Sequence, residues 1–404
     1  MTPTRWLRSV SMSLLAACTI AAAVPTAAAA APDRGAQSSV GGALLGRDGT
    51  VVLPGPGAPL LPAGVSAKSW VVADLGSGEV LAARDAHGRY LPASTMKTLT
   101  AIALIPEVER GALHRARFED VNVEGSKVGL VPGEFYRVDT LFQAMLVVSG
   151  NDAANSLATA VGGTARALAL MNATARRLQA FDTVARNPSG LDSAEQLTSA
   201  YDLALITRAG MTMPSYRTYV GTLRSRINAP GGKSFEIYNH NKLLTRYAGT
   251  TGGKTGYTVQ ARRTFVVTAQ RGGREIVVAM LRSETMLPDA TKLLDWGFAA
   301  AGRVTPVGRL VEPLAEETGQ GLSPTTSSVI APLAERSTGM APQHRGVDAA
   351  PRAVAAAGSA VPLKVVVPAG TIVVLGALTM LRRRQIRRRR YGRTSNLRLK
   401  LPVR

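Results

Sequence analysis

The chain has 404 residues, which allows one large domain or two small ones, and it carries a formal charge of +21. The charge is uneven, because eleven of the basic residues lie at 382–404, a stretch without any acidic residue. Since more than half of the excess charge sits at one end, and aromatic residues make up only 5% of the chain, the composition argues against a nucleic-acid-binding protein.

The first 31 residues have the pattern of a secretory signal peptide. Arg5 and Arg8 precede an apolar stretch, 11–24, and a run of small alanines then suits cleavage before residue 32. Cys18, the single cysteine, lies inside this stretch, so the cleaved protein is expected to have no disulfide. Leu15–Cys18 also resembles a lipoprotein cleavage box, which leaves lipidation of Cys18 as an alternative.

The carboxyl-terminal part predicts a single membrane anchor. The segment 364–381 contains 17 consecutive uncharged residues, enough to cross a bilayer core, and we interpret it as a transmembrane helix. The basic segment 382–404 is expected to stay in the cytoplasm as a tail. A nucleic-acid-binding tail does not explain the apolar stretch before it. The sequence therefore places residues 32–363 on the extracytoplasmic face of the membrane.

The central part of the chain predicts one domain, 66–301. Residues 32–65, rich in Gly, Pro and Ala, are interpreted as a linker. Ser69–Leu75 and Glu79–Arg84 are predicted to form a hairpin around a Gly-Ser-Gly turn. The pattern from 106 to 250 is mostly helical.

Strand character returns in the last part of this domain. Residues 254–258 begin a strand, and 264–269 and 276–281 are predicted to pair around Gly272–Gly273. A helix over 288–300 follows, with large apolar residues to lay on a sheet. We expect an α+β fold, in which an antiparallel sheet is flanked by helices and a helical block is inserted between its strands. Residues 302–363 are predicted to be a disordered tether.

The first candidate site lies at the start of a predicted helix, where Ser94 and Lys97 follow Pro92. Residues three apart share one helix face, so the amine can lie beside the hydroxyl, and a helix start favours negative charge. A lysine can take a serine's proton only when its pKa is lowered by burial or by a nearby cation. The chain has nine lysines against 39 arginines, and arginine cannot act as such a base.

Two further motifs follow Ser94 and Lys97 in the chain, and the three motifs are informative only together. Ser149–Asn151 lies at a predicted helix-to-helix turn and Lys254–Gly256 on a predicted strand; each alone is more often an ordinary turn. In this order the three resemble the motifs of the penicillin-binding D-alanyl-D-alanine carboxypeptidases, relatives of the serine β-lactamases. The resemblance covers about 66–301 and includes Asn187–Leu191 and Asn239–Leu244 as further similarities.

The resemblance implies acyl transfer to a serine. Ser94 would attack the carbonyl carbon between two D-alanines, while Lys97, as a neutral amine, takes its proton. Lys254 provides a physical reason for that neutrality, since a second ammonium nearby penalises charge on Lys97. The backbone N–H groups of Ser94 and Tyr257 would form the oxyanion hole.

The remaining motif residues are assigned to the substrate by the same resemblance. Ser149 would relay a proton to the leaving amine, and Asn151 would hold the peptide amide of the substrate. Lys254 and Thr255, followed by Gly256, would bind the terminal carboxylate. Water would then free the acyl-enzyme, so that one D-alanine leaves a peptidoglycan stem pentapeptide. The implied partners are this peptide and β-lactams as covalent inhibitors, with no cofactor.

Other functions on the same scaffold remain open at this point. A β-lactamase needs a loop glutamate to activate water, and 186–192 has none, while Gly150 stands where those enzymes usually carry aspartate. A silent module that binds the cell wall would not need a neutral lysine beside a serine. Transpeptidation and endopeptidation use the same acyl-enzyme and are not distinguished by sequence.

Two observations limit what else the chain is expected to do. Its four histidines are scattered and it has no cysteine cluster, so no metal is expected. Arg262 and Arg263 stand where many relatives carry small residues; they are expected to point to solvent, with carboxylate contacts as the alternative.

Overall fold

The computed structural model describes residues 39–315, in which strands occur towards both ends and most helices lie between them. The strands are β1 (Thr50–Pro54), β2 (Ser69–Asp74), β3 (Glu79–Arg84), β4 (Leu113–Arg115), β5 (Phe135–Arg137), β6 (Arg224–Ala229), β7 (Lys233–Tyr238), β8 (Thr250–Thr258), β9 (Arg262–Arg271), β10 (Arg274–Ser283), β11 (Val304–Thr305) and β12 (Gly308–Arg309). The α-helices are α1 (Met96–Leu104), α2 (Phe118–Val121), α3 (Val138–Val147), α4 (Asn151–Ala160), α5 (Thr164–Arg177), α6 (Ala200–Met211), α7 (Pro214–Gly221), α8 (Leu243–Arg246) and α9 (Met286–Ala300).

The main sheet has eight strands in the order β11-β1-β3-β2-β10-β9-β8, with β12 pairing with β3. All of its pairings are antiparallel. The hairpin predicted over 69–84 is β2–β3, and the pair predicted around Gly272–Gly273 is β9–β10. The prediction of an α+β fold with an antiparallel sheet and an inserted helical block is therefore confirmed.

Helices cover both faces of the sheet because its central strands are apolar on both faces. Val71 and Ala73 face the larger core cluster, which the inserted helices complete, whereas Trp70 and Val72 face the smaller cluster under α9. Fully burying a side chain such as valine or leucine stabilises the fold by about 1.5–3 kcal/mol. On one face the central strands pack against α6, which also contacts α1, and the turn at 93–95 that precedes α1 contacts β8 and β9.

Both ends of the described residues contribute strands to the main sheet. This corrects two of the segment boundaries predicted from the sequence. β1 lies within 32–65, which was interpreted as a linker, and it pairs with β3 and with β11. β11 and β12 lie within 302–363, which was interpreted as a tether. Both interpretations are wrong for these residues. Gly and Pro around β1 hide its short run of valines, and strands of two residues are too short to show a period.

A half-buried ion pair fastens the amino-terminal segment to the domain. His87 Nδ1 lies 2.7 Å from Asp182 Oδ2, and its Nε2 lies 3.1 Å from Val40 O, so that a protonated ring can donate to both. Burial lowers the pKa of His87, but the hydrogen bond and charge of Asp182 outweigh it and raise that pKa. His87 therefore has a structural role, because it links Val40 to Asp182.

The membrane predictions are not tested by the fold. Within residues 39–315, no helix combines the length and the apolar character needed to cross a bilayer. The predicted signal peptide (1–31), transmembrane helix (364–381) and basic tail (382–404) lie outside the described residues. They stay predictions.

Candidate active site

Ser94 lies in a tight 3₁₀ turn, Ala93–Thr95, that leads directly into α1. Ala93 adopts the left-handed conformation with φ +46°, which is uncommon for a residue with a side chain. Pro92 O accepts hydrogen bonds from Thr95 Oγ1 at 2.6 Å and from Thr264 Oγ1 of β9 at 2.8 Å. The turn is thus held by both the helix and the sheet. Ser94 itself is only half-buried and faces the cleft between α1, the α3–α4 junction and β8.

Lys97 is fully buried on the first turn of α1, and its amine has three oxygen neighbours. Nζ lies 2.7 Å from Asn151 Oδ1, within hydrogen-bond distance of the carbonyl oxygen of Ser189, and 3.1 Å from Ser94 Oγ. The first two oxygens are obligate acceptors, so they occupy the two N–H groups of a neutral amine. The lone pair that remains is directed at the Ser94 hydroxyl.

Electrostatics favour this neutral form of Lys97. Burial lowers its pKa well below the ordinary value, the charge of Lys254 lowers it further, and Asp152 partly opposes both effects. The structure thus agrees with the expectation that Lys254 disfavours charge on Lys97, although burial has the larger effect.

Ser149 and Lys254 form a second pair in the cleft. Lys254 Nζ donates to Ser149 Oγ at 3.0 Å and to Thr255 O at 2.8 Å. Burial alone lowers the pKa of Lys254 to about 7. Ser149 has φ +64° at the junction between α3 and α4, so its backbone is in the left-handed region although it is not glycine. This conformation turns the chain sharply and leaves the hydroxyl beside Lys254.

The edge strand β8 comes very close to the nucleophile turn at Gly256. A Cβ added to this glycine would lie 2.8 Å from the backbone N of Ser94 and 2.3 Å from Thr264 Oγ1. Only a residue without a side chain allows the strand to approach so closely. Thr255 is half-buried beside it, and Tyr257 is 59% exposed at the mouth of the cleft.

The loop 186–192, which has no regular secondary structure, closes the cleft next to α1. The side chain of Asn187 organises it, because Asn187 Oδ1 accepts from Ser189 Oγ at 2.9 Å and from Gly190 N at 2.8 Å. Thr100 Oγ1 donates to Pro188 O at 2.7 Å, which fixes the loop to the helix. The loop thereby delivers the Ser189 carbonyl to Lys97, a contact that sequence reasoning did not assign.

All predicted site residues therefore lie along one cleft between α1, the α3–α4 junction and β8. Ser94, Lys97 and Asn151 share one hydrogen-bonded group, and Lys254 joins Ser149 in another. Arg262 and Arg263 are both exposed; Arg263 Nη1 donates to Glu284 O at 3.1 Å. A serine next to a lysine held in its neutral form is the arrangement that a serine hydrolase uses to form an acyl-enzyme.

The comparison with known families agrees with this class. The model of the peptidase S11 family, described as D-alanyl-D-alanine carboxypeptidase, matches residues 58–285. The chain belongs to this family. Its activity as a D-alanyl-D-alanine carboxypeptidase is thereby confirmed over the alternatives of a β-lactamase and of a silent binding module.

Individual relatives agree with this assignment. The D-alanyl-D-alanine carboxypeptidase DacB2 of Mycobacterium tuberculosis is 42% identical over 241 residues, 58% of this chain and 82% of that protein. DacF of Bacillus subtilis, also a D-alanyl-D-alanine carboxypeptidase, is 28% identical over 58% of this chain, and the match spans 62% of DacF.

Two solved structures show how far the fold is shared. The crystal structure of a D-alanyl-D-alanine carboxypeptidase from Mycobacterium tuberculosis H37Rv matches with a TM-score of 0.61 at 40% identity, over 64% of this chain and 100% of that one. The Streptomyces K15 DD-transpeptidase matches with a TM-score of 0.56 at 25% identity, over 60% of this chain and 100% of that one. The shared part is thus the whole of each solved structure.

Proposed function

We propose that the chain removes the terminal D-alanine from peptidoglycan stem pentapeptides through an acyl-enzyme on Ser94. The observation that carries the proposal is the hydrogen bonding of Lys97. Two carbonyl oxygens, Asn151 Oδ1 and Ser189 O, use its N–H groups and leave its lone pair for the Ser94 hydroxyl. A base already aimed at the nucleophile makes proton removal part of the attack.

Acylation then proceeds in a defined order. Lys97 takes the Ser94 proton as Oγ bonds to the carbonyl carbon of the penultimate D-alanine. The developing negative oxygen is stabilised by the N–H groups of Ser94 and Tyr257, which the close approach of β8 supports. The C–N bond breaks, and the proton that Lys97 took passes through Ser149 to the leaving amine of the last D-alanine, so that Lys97 is neutral again.

Deacylation completes the cycle with water as the acceptor. Water attacks the acyl carbon while Lys97 takes one of its protons. The bond between this carbon and Ser94 Oγ then breaks, Lys97 returns the proton to Oγ, and the shortened peptide is released. Lys254 and Thr255 bind the terminal carboxylate and so give the preference for a free carboxyl end. Asn151 holds the substrate amide with the second N–H group of Nδ2, since the first donates to Glu124 O.

Benzylpenicillin tests both the nucleophile and the reaction type. The full-length protein is expected to gain the mass of one penicillin on the peptide that contains Ser94, and the adduct should persist after unbound drug is removed. Ser94→Ala should form no adduct, whereas Ser77→Ala, in the β2–β3 turn, should react normally. Rapid hydrolysis of penicillin, or an adduct on another residue, would contradict the proposal. Release of one D-alanine from a pentapeptide, followed by mass spectrometry, checks the substrate.

We also propose that the domain works outside the cytoplasm, anchored by 364–381 after removal of 1–31. The support is the sequence pattern at both ends and the fact that family members act on peptidoglycan at the cell envelope. Protease added outside intact cells should then degrade the domain and spare a carboxyl-terminal tag. A domain that resists protease until the cells are lysed would reverse this topology.

A further inference from the structure

Asp152 is a fully buried carboxylate that the proposed reaction does not use. It follows Asn151 on α4, and its oxygens accept backbone hydrogen bonds from Val128 at 2.9 Å, Gly129 at 2.8 Å and Leu130 at 3.1 Å. No cationic side chain of residues 39–315 lies within ion-pair distance of it. A buried charge is costly, and here backbone N–H groups alone satisfy it.

The same loop that Asp152 anchors also holds Asn151. Asn151 Nδ2 donates to Glu124 O at 2.6 Å, and the backbone N of Asn151 donates to Ser126 O at 2.7 Å. A Cβ added at Gly125 would lie 2.9 Å from Asn151 Nδ2, so the loop passes directly over the amide. Because Nδ2 is bound to the loop, Oδ1 points to Lys97.

We propose that Asp152 is a positioning residue: it anchors 128–130 so that the loop's carbonyl groups hold the Asn151 amide towards Lys97. The inference rests on the proposed function, in which Lys97 is the base. Loss of the anchor would release the loop and let the amide turn away. Lys97 would then lose one of the two acceptors that direct its lone pair at Ser94.

The negative charge of Asp152 also acts on the pKa of Lys97, an effect that simple loosening of the loop would not have. The titratable groups that respond to this charge are Lys97 and Tyr136, and the other charge acting on Lys97 is that of Lys254. Burial and Lys254 lower the pKa of Lys97, and Asp152 opposes them. Removing the carboxylate charge therefore lets Lys97 become neutral at a lower pH.

The experiment measures the rate of acylation by benzylpenicillin against pH, using the full-length protein in detergent. In the wild type the rate should rise from acid pH as Lys97 loses its proton. Asp152→Asn should move the midpoint of this rise to a lower pH. Its maximal rate should fall about tenfold or more, because the Asn151 amide is no longer fixed. Asp152→Glu keeps the charge and should keep the midpoint, with a lower maximal rate.

Asp120 provides the matched control. It is also a buried carboxylate of the helical block, and it accepts from Arg117 N at 2.9 Å and from Thr159 Oγ1, but unlike Asp152 it also has a histidine partner, His114 Nε2 at 3.2 Å. Asp120→Asn should lower the melting temperature and leave the pH profile unchanged. An Asp152→Asn variant that keeps either the maximal rate or the midpoint of the wild type would overturn the proposal. A wild type that never acylates on Ser94 would instead overturn the proposed function.

Discussion

Replacement of Lys97 by arginine is expected to lower the rate of Ser94 acylation roughly a thousandfold, although the approximate length of a basic side chain is kept. The guanidinium does not release its proton at ordinary pH and has no lone pair to offer the hydroxyl. The site of Lys97 is fully buried and its pKa is held well below the ordinary value, so an obligate cation there is also poorly tolerated. The measurement is penicillin adduct formation over time, followed by mass spectrometry.

A second variant and a control separate chemistry from misfolding. Lys97→Met has a similar volume and cannot accept a proton, so it should be equally inactive, and a cooperative melting curve would show that it is folded. Lys292→Arg repeats the exchange at an exposed lysine on α9, away from the motif residues, and should acylate normally. Near-normal acylation by Lys97→Arg would remove Lys97 as the base.

Replacement of Gly190 by alanine is expected to reduce both stability and acylation. Gly190 has φ +84°, and an added Cβ would lie 1.9 Å from the carbonyl oxygen of Ala93, in the nucleophile turn. The backbone cannot yield without moving either Ser94 or the Ser189 carbonyl that binds Lys97. We expect a loss of about 2–4 kcal/mol in the free energy of unfolding, and a roughly hundredfold loss of acylation rate, since small displacements at a reacting centre are costly.

Gly231 offers the comparison for this effect. It lies in the β6–β7 turn with φ +71°, and an added Cβ there meets no atom within 4 Å. Gly231→Ala should therefore cost only about 1 kcal/mol from its backbone conformation, with normal acylation. Equal behaviour of the two variants in thermal unfolding and in adduct formation would show that contact with the nucleophile turn is not what constrains Gly190.

The sequence allowed the central strands, the inserted helices and the motif residues to be predicted, because each has a local signal. β2 and β3 show apolar runs around a glycine-rich turn, and Ser94 and Lys97 have the spacing of one helix face. The two small sheets β4–β5 and β6–β7 inside the helical block were missed, as were β1, β11 and β12. The pairing of the last three is decided by contacts between distant parts of the chain, and such short strands leave no period to read.

The orientation of Lys97 and Asn151 could not be predicted, because backbone carbonyl groups determine it. The carbonyl groups of Ser189, Glu124 and Ser126 orient Lys97 and Asn151, and any residue type carries such a group. Asp152 was visible in the sequence only as a residue next to a motif. Its role depends on a loop more than twenty residues away, which no local pattern connects to it.

The left-handed backbone at Ala93 and Ser149 has a bearing on how this enzyme responds to engineering. Each conformation costs about 1–2 kcal/mol for a residue with a side chain and nothing comparable for glycine. A library screened for heat resistance alone would therefore favour glycine at both positions. A more stable protein with glycine at 149 would lack the Ser149 hydroxyl, so selection for thermal stability has to be paired with selection for turnover.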